Sequence, residues 1–372
     1  ATRVNENGLI EEVASNVPRL DYSDGGCPSL LLEPNATNLV VYSEDFSDAS
    51  WAKQAGGVAS APLVTSNYAI SPDGTQNASR VVFDLNGGTT SSAFSQLQTI
   101  ITGTTGVDYA SSVYMKSNDS NTYDVTFIDV AGSTTIVSVT PQWKRFDLAA
   151  ALASTNMRIR TRGSEGSSDV TDVLIWGAQV EQGSYATSYI PTSGTIQSRS
   201  TDTASGSGNS TVINSTEGVL YFETKGLTDV PINSGYIQLS KSGEASFNNS
   251  LVLQHRNNGY LRVYVNGSAT ADIHFNINID FTEKHKIAVL YKLNGYKLFI
   301  NGVEQNLFGT PTQAVFSGLD NLSFDLRGAL SWNGSIKEVK IYNTALTDAD
   351  LETLTSWTSF TAMANALNYT II

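Results

Sequence analysis

The chain has 372 residues and an acidic balance, with 22 Lys and Arg against 35 Asp and Glu and a formal net charge of −13. Such a surface repels phosphate backbones, so we predict no nucleic-acid binding. The single cysteine, Cys27, excludes an intrachain disulfide and a zinc site built on several Cys ligands. Its place between Gly26 and Pro28 predicts a buried small residue. No apolar run approaches the roughly 18 residues of a membrane-spanning helix, and we predict no membrane insertion.

Charged residues make up only 15% of the chain, and Ser, Thr, Asn and Gly take their place. These residues favour turns and strands over helix interiors. The composition therefore predicts an all-β protein. We expect two tandem β-sandwich (jelly-roll) domains, with an irregular N-terminal arm and a short C-terminal helix and tail.

Residues 1–37 are predicted to form the arm, because Gly and Pro interrupt every periodic run. Apolar patches at Leu9-Ile10 and Leu30-Leu31-Leu32 indicate that the arm is held against the first domain or a neighbouring subunit. Residues 38–191 are predicted to be a β-sandwich or jelly roll. Its strands are rich in β-branched and aromatic residues and are bounded by turn residues; examples are 79–83, 109–115, 124–128 and 135–139.

Residues 192–216 are rich in Ser, Thr and Gly and are predicted to connect the domains, with part of the stretch paired as an edge strand. The β pattern resumes over 217–356. Its hairpins are indicated by Asn-Gly pairs, which supply the positive φ angles of tight turns; these pairs are 258–259, 266–267, 294–295 and 301–302. A helix is predicted over 347–356 with Thr347 as its cap. The tail, 357–372, ends in apolar residues that suggest docking.

Several segments together resemble the arm of phage head-spike or tail-fibre proteins. They are ATRVNENGLI (1–10), NVPRLDY (16–22), LLLEP (30–34), TNL (37–39), YSEDF (42–46) through Trp51, WGAQVE (176–181) and YATSYIPT (185–192). The resemblance implies an arm that joins other virion proteins, a carbohydrate-binding-module-like jelly roll, and assembly as a homotrimer.

The second domain resembles laminin-G-like, concanavalin A-like sandwiches. The resemblance rests on YKLFINGV (296–303) and GSIKEVKIYNTALTD (334–348). Lys337 stands where these domains often carry an acidic residue. Because a lysine cannot ligate a hard cation as a carboxylate does, calcium at that position is disfavoured.

The sequence contains none of the familiar catalytic motifs. His255, His274 and His285 are spaced unlike any metal motif, and the Glu-x-Asp-x-x-Glu string of concanavalin A-like glycosidases does not occur. The nearest acidic pairs, Asp169 with Asp172 and Asp348 with Asp350, suit a loop and a helix start. We therefore predict a protein that is not an enzyme. A hydrolase or lyase stays open as an alternative, because carboxylates from distant strands can meet in a fold.

Sugars stack their apolar faces on aromatic rings. Four rings near loop signals are therefore candidate glycan-binding residues: Trp51, Tyr68, Tyr123 and Trp332. The alternative is that these rings seal sandwich edges. No cofactor is predicted, but calcium is possible at the hard oxygen donors of Asp119 and Asp124. The alternative there is turn chemistry.

Together these observations predict a non-catalytic phage fibre or spike subunit on the virion surface. Its expected partners are capsid or tail proteins, copies of itself and host-surface polysaccharide. Three alternatives remain: a purely structural capsid decoration protein, a secreted bacterial polysaccharide-binding lectin, and a glycan hydrolase or lyase.

Overall fold

A computed structural model describes residues 1–228, 235–243, 249–256, 260–266, 272–293, 295–306, 316–326, 330–359 and 361–363. Their regular secondary structure is almost entirely β, as predicted. No helix among them is long and apolar enough to cross a membrane. The chain divides into two compact units. Unit 1 comprises residues 1–17 and 35–200, and unit 2 comprises residues 18–34 and 201–372.

Besides a one-turn 3-10 helix at Gly163–Glu165, the regular elements of the described residues are strands and one α-helix. In chain order they are β1 (Thr2–Val4), β2 (Ile10–Glu12), β3 (Leu20–Asp21), β4 (Ser29–Leu32), β5 (Ala36–Asn38), β6 (Trp51–Gly56), β7 (Ser60–Ala69), β8 (Ala78–Asp84), β9 (Phe94–Ile100), β10 (Asp108–Ser117), β11 (Tyr123–Ile128), β12 (Thr134–Val139), β13 (Lys144–Ala151), β14 (Asn156–Arg162), β15 (Val170–Gln182), β16 (Gln197–Arg199), β17 (Glu217–Gly226), β18 (Gly235–Ser240), β19 (Ser250–His255), β20 (Tyr260–Asn266), β21 (Asp272–Asn278), β22 (His285–Lys292), β23 (Lys297–Ile300), β24 (Val303–Glu304), β25 (Asn321–Ser323), β26 (Gly334–Tyr342) and α1 (Asp348–Thr355).

Unit 1 is a sandwich of two five-stranded antiparallel sheets. The first sheet, β13-β10-β15-β8-β7, faces the second, β12-β11-β14-β9-β6, across a shared apolar core. Alternation explains which side chains enter the core. On β11, for example, Tyr123, Val125 and Phe127 are buried in it, whereas Asp124 on the other face is exposed.

Unit 2 is also a two-sheet sandwich, with the orders β24-β23-β22-β17-β26-β4-β3 and β21-β20-β19-β18-β25. The predicted turn at Asn301-Gly302 is confirmed: both residues have positive φ, 51° and 85°, as a tight two-residue hairpin requires. The other three Asn-Gly turns include residues outside the described ones. Helix α1 is confirmed as well, and Thr347 and Asp350 form a capping box at its start.

The predicted arm is not one irregular segment. Hairpin β1–β2 belongs to unit 1, whereas β3 and β4 extend the seven-stranded sheet of unit 2, with Leu30 opposite Ile336 on β26. The Leu-rich run is thus a strand of the second sandwich, because its backbone groups complete a sheet edge. The buried Arg19 guanidinium holds this segment by pairing with Glu33, at 2.6 Å, and with Asp202.

One other detail of the arm differs from expectation. Cys27 is exposed rather than buried, and its carbonyl oxygen accepts a hydrogen bond from Lys337 Nζ at 2.5 Å. Within the predicted connection, β16 pairs with β5 in unit 1, while Ile213 lies in the core of unit 2. The boundary between the units therefore falls at residue 200, inside the stretch predicted as a linker.

His285 anchors the hairpin turn of unit 2. Its Nε2 lies 2.7 Å from the Asp280 carbonyl oxygen and its Nδ1 accepts a hydrogen bond from Asn301 Nδ2 at 3.0 Å. Burial lowers the pKa of His285, although Asp280 and Glu283 oppose the shift. Protonation would remove the acceptor that Asn301 needs.

We predict a pH-dependent contribution of His285 to stability. A base whose pKa is lowered by folding contributes its full stability above the unfolded value of about 6.5. That stability is lost as the pH falls through the folded pKa, by at most about 1.4 kcal/mol per pH unit. The free energy of unfolding should therefore fall less from pH 7.5 to pH 5 in His285→Gln than in the unsubstituted chain. Equal pH slopes in urea melts would contradict this assignment.

Candidate functional site

The two tryptophans predicted at a rim are core residues instead. Trp51 is fully buried in unit 1, where its Nε1 donates to the Tyr42 carbonyl oxygen at 2.8 Å. Trp332 is buried in the core of unit 2 beside Phe281. Loop signals next to these residues misled the prediction, because both rings point inward and neither is presented to a ligand.

The two tyrosines differ from each other. Tyr123 is largely buried, and its hydroxyl donates to Asp119 Oδ2 at 2.7 Å. Tyr68 is 43% exposed on β7, with the Arg80 guanidinium 5.2 Å above its ring. The structure therefore brings no pair of the four predicted rings together, and Tyr68 is the one that faces solvent.

The two calcium candidates serve local structure. Hydrogen bonds from the Tyr123 hydroxyl and the Asn121 backbone lower the pKa of Asp119. Asp124 accepts a hydrogen bond from Ser138 Oγ at 2.8 Å on the neighbouring strand. Among the described residues, no three His, Cys, Asp or Glu side chains are grouped to hold a metal ion. Calcium binding at Asp119 and Asp124 stays a prediction.

A buried polar network joins segments that are far apart in sequence. Asn38 donates to the carbonyl oxygens of Ala178 and Ile190, at 3.1 and 2.8 Å. The Glu181 carboxylate accepts hydrogen bonds from the backbone N–H and hydroxyl of Thr187, at 2.7 and 2.6 Å. These contacts fix the loop of residues 183–192 against the end of β15. Through these hydrogen bonds the TNL (37–39), WGAQVE (176–181) and YATSYIPT (185–192) segments are held next to one another in the fold.

A β-bulge turns Trp176 away from the sandwich core. The register of β15 against β10 shifts between Ser112 and Tyr114, and Gly177 at the shift has a φ of +64°. Because the extra residue reverses the alternation, Ile175 and Ala178 both enter the core whereas Trp176 lies on the outer face.

Hairpin β1–β2 packs over this outer face and creates a cleft of about 340 Å³, which we call the hairpin cleft. Trp176 and Tyr189 form an aromatic part of its wall together with Ile10. The other lining residues are Thr2, Glu11, Glu12, Glu44, Asp73, Thr75 and Pro191. All charged groups in the lining are acidic.

The pKa values of two cleft carboxylates, Glu44 and Asp73, are shifted in opposite directions. Burial raises the pKa of Glu44, although its carboxylate accepts a hydrogen bond from the Tyr189 hydroxyl at 2.8 Å. Burial also acts to raise the pKa of Asp73, but hydrogen bonds from Ser71 and Thr75 outweigh it and the pKa is lowered. Glu44 therefore takes up a proton at a higher pH than Asp73.

The sequence did not identify this cleft. Its residues come from the hairpin, the segment after β5, the β7–β8 turn, β15 and the following loop. The signal in the sequence was the group of segments that resemble phage head-spike or tail-fibre proteins. Those segments contain the lining residues Thr2, Ile10, Glu44, Trp176 and Tyr189. Asp73 lies in the β7–β8 turn, where the Asp73-Gly74 pair indicates a turn and gives no sign of a site.

We predict that Tyr189→Phe raises the pKa of Glu44, because the substitution removes a hydrogen bond that stabilises the carboxylate. At pH 7 the unfolding free energy should fall by about 1–3 kcal/mol, and less below the Glu44 pKa, where the carboxyl is protonated. NMR titration of the Glu carboxyl carbons and urea melts measure both effects. Tyr68→Phe in the same unit is the control. An unchanged Glu44 pKa would contradict the assigned contact.

Three comparisons with known proteins bear on the fold. Residues 227–352 match the Laminin_G_3 family model, described as the concanavalin A-like lectin/glucanases superfamily. This match lies within unit 2 and confirms the predicted concanavalin A-like domain. A comparison with curated proteins found no match. The resemblance to phage spike proteins stays a prediction.

Similar solved structures include a sialidase, a module of another sialidase and a pentraxin. The CBM40 module of a Ruminococcus gnavus IT-sialidase, bound to α2,3-sialyllactose, is 16% identical, with a TM-score of 0.34; the match covers 41% of this chain and 94% of that one. A heptameric SAP-like pentraxin from Limulus polyphemus is 14% identical over 42% and 76%, with a TM-score of 0.33. A Trypanosoma rangeli sialidase is 15% identical over 38% and 22%, with a TM-score of 0.30.

Proposed function

We propose that this chain is a non-catalytic, glycan-binding subunit of a phage fibre or spike. The observation that carries the binding proposal is the hairpin cleft, where aromatic side chains and oxygen acceptors meet in one concave surface. The concanavalin A-like match in unit 2 is consistent with it, since that superfamily is described as containing lectins. The proposal assigns no cofactor.

The chemistry of the cleft suits a sugar. Trp176 is 1% exposed and its indole N–H has no acceptor among the described residues, whereas Glu12 and Glu44 offer carboxylate oxygens. A hydroxyl group can accept from the indole and donate to a carboxylate, which an ammonium group cannot do. The volume is at the lower end for small-molecule sites. The acidic lining favours a neutral or amine-bearing sugar over an anionic one.

The virion part of the proposal rests on the resemblance of the arm segments. Strands β1 and β2 pair with each other, and β4 lies between β3 and β26. The strands of both parts of the arm therefore already pair with strands of the same chain. A virion partner would therefore meet the exposed loop of the first hairpin, which includes Glu6 and Asn7, or the outer edge of β3. A homotrimer would add an interface to a chain that cannot form an internal disulfide.

Glycan hydrolysis is a second candidate, and one observation favours it. Glu44 and Asp73 both accept hydrogen bonds from Asn77 Nδ2, at 2.9 and 3.1 Å. The bonded oxygens therefore lie within about 6 Å of each other, near the roughly 5–5.5 Å of retaining glycosidases. However, Asp73 Oδ1 already accepts hydrogen bonds from Ser71 and from the backbone and hydroxyl of Thr75. Because these contacts build a turn, we place binding first.

We predict that the full chain binds neutral or amine-bearing oligosaccharides, and that Glu12→Gln weakens binding about three- to tenfold. Glu12 lines the cleft and is exposed, so its substitution should leave the fold intact. Glu6→Gln, on the loop of the same hairpin, is the matched control and should bind normally. Glycan arrays followed by calorimetry measure the effect.

Two other results would replace the proposal. No binding by the correctly assembled chain would favour a structural capsid decoration protein. Equal weakening by Glu6→Gln and Glu12→Gln would place the site outside the cleft. A secreted lectin shares the binding prediction but not the virion partners, so recovery of the chain from purified phage particles separates those two.

We also predict that the chain sediments as a trimer at micromolar concentration. A trimeric assembly should show three times the mass of one chain in sedimentation equilibrium. It should persist under reducing conditions, because one cysteine per chain can link two chains by a disulfide but not three. A monodisperse monomer would contradict this part of the proposal and would leave glycan binding untouched.

A further inference from the structure

Three arginines occupy alternate positions on the central strand of the second sheet in unit 1. Arg158, Arg160 and Arg162 lie on the outer face of β14, whereas Met157 and Ile159, at the alternate positions of the strand, enter the core. Alternate residues on one face of a strand span about 13 Å over four steps. We call this set the arginine row.

The row has fewer negative partners than positive charges. Arg160 pairs with Glu165 through two nitrogens, and Arg162 lies 3.7 Å from the same carboxylate. Arg158 makes no ion pair within the described part of the chain, and its Nε donates to the neutral Gln98 Oε1 at 2.9 Å. Asp124 is on the same outer face but bonds Ser138. An uncompensated guanidinium is unexpected on a chain of charge −13.

The surroundings of Arg158 make its charge unfavourable in the free protein. Burial lowers its pKa, and the positive charges of Arg160 and Arg162 lower it further. Charges that are partly removed from water need a partner to offset the lost hydration. A bound anion would supply that partner, and guanidinium groups recognise carboxylate or sulfate oxygens through paired hydrogen bonds.

The side chains beside the row suit the rest of a sugar. Gln96 and Gln98 lie on the neighbouring strand β9, and Gln96 Nε2 donates to Gln54 Oε1 on β6 at 2.6 Å. Their amides can donate to and accept from hydroxyl groups. Phe94, next to Arg162 at 5.7 Å, adds an aromatic ring.

We propose that the arginine row binds the carboxylate or sulfate groups of an anionic glycan. Taking the anion to be a glycan rests on the proposed function; the positive site itself does not. The row lies on the sheet opposite the one that carries Trp176, so it does not overlap the hairpin cleft. The two sites also differ in charge, since the cleft is lined by carboxylates. A long nucleic acid is disfavoured because the rest of the chain is acidic.

The test uses the full chain, tetragalacturonic acid and a neutral tetrasaccharide of the same length. We expect saturable, salt-sensitive binding of the uronate, weakened at least about tenfold by Arg158→Gln. Arg80→Gln is the matched control. Arg80 lies on the other sheet of unit 1 and already pairs with its own carboxylate, Asp172, at 2.7 Å, so its substitution should leave uronate binding within about twofold of normal.

A stability measurement separates binding from folding. Since Arg158→Gln removes a partly buried, unpaired charge, its midpoint of urea unfolding should be equal to or higher than that of the unsubstituted chain. A variant that loses both stability and binding would make Arg158 a structural residue and overturn the proposal.

The remaining outcomes are also decisive. If neither the uronate nor a sulfated tetrasaccharide binds while the neutral sugar does, this proposal fails and the proposed function stands. If no sugar of any class binds, both fail. If an oligothymidine of similar charge binds more tightly than the uronate and Arg158→Gln abolishes that binding, the row is an anion site of another class and the glycan assignment is overturned.

Discussion

The hairpin cleft depends on the hydrogen bonds that the buried Glu181 carboxylate accepts from Thr187. Burial raises the pKa of Glu181, and hydrogen bonds from Thr187 and Gln179 oppose the shift. A buried carboxylate without such donors would be costly, so the loop that supplies them must stay in place. That loop carries Tyr189 and Pro191 to the cleft wall. The shape of the cleft therefore follows from satisfying one charge.

The same reasoning explains why two kinds of surface coexist in unit 1. At the cleft, carboxylates gather around an aromatic wall, and hydrogen bonds from Tyr189 and Asn77 make that arrangement tolerable. On the opposite sheet, guanidiniums gather around a single carboxylate, Glu165. Neither arrangement improves a sandwich core, which is filled by apolar side chains from both sheets. Like charges held together without a packing benefit are typical of binding surfaces.

The sequence predicted the strands of unit 1 well because alternation and turn residues are local signals. It did not predict the bulge at Gly177, which decides that Trp176 faces the hairpin, since a register shift depends on the neighbouring strand. Trp51 and Trp332 were misjudged for a similar reason: a position near a loop does not determine which face a ring occupies. The arm was divided between the units because the edge of β26 accepts β4, a pairing more than 300 residues apart. The arginine row, by contrast, is visible in NMRIRTR (156–162), where apolar and basic residues alternate.

The central claim is that this chain holds a glycan without cleaving it. The most direct measurement incubates the full chain with a purified bacterial surface polysaccharide and follows bound polymer and new reducing ends in the same sample. The account predicts saturable retention of the polymer and no increase in reducing ends over time. Release of reducing ends that Glu44→Gln abolishes would contradict it and would identify the Glu44–Asp73 pair as a catalytic centre.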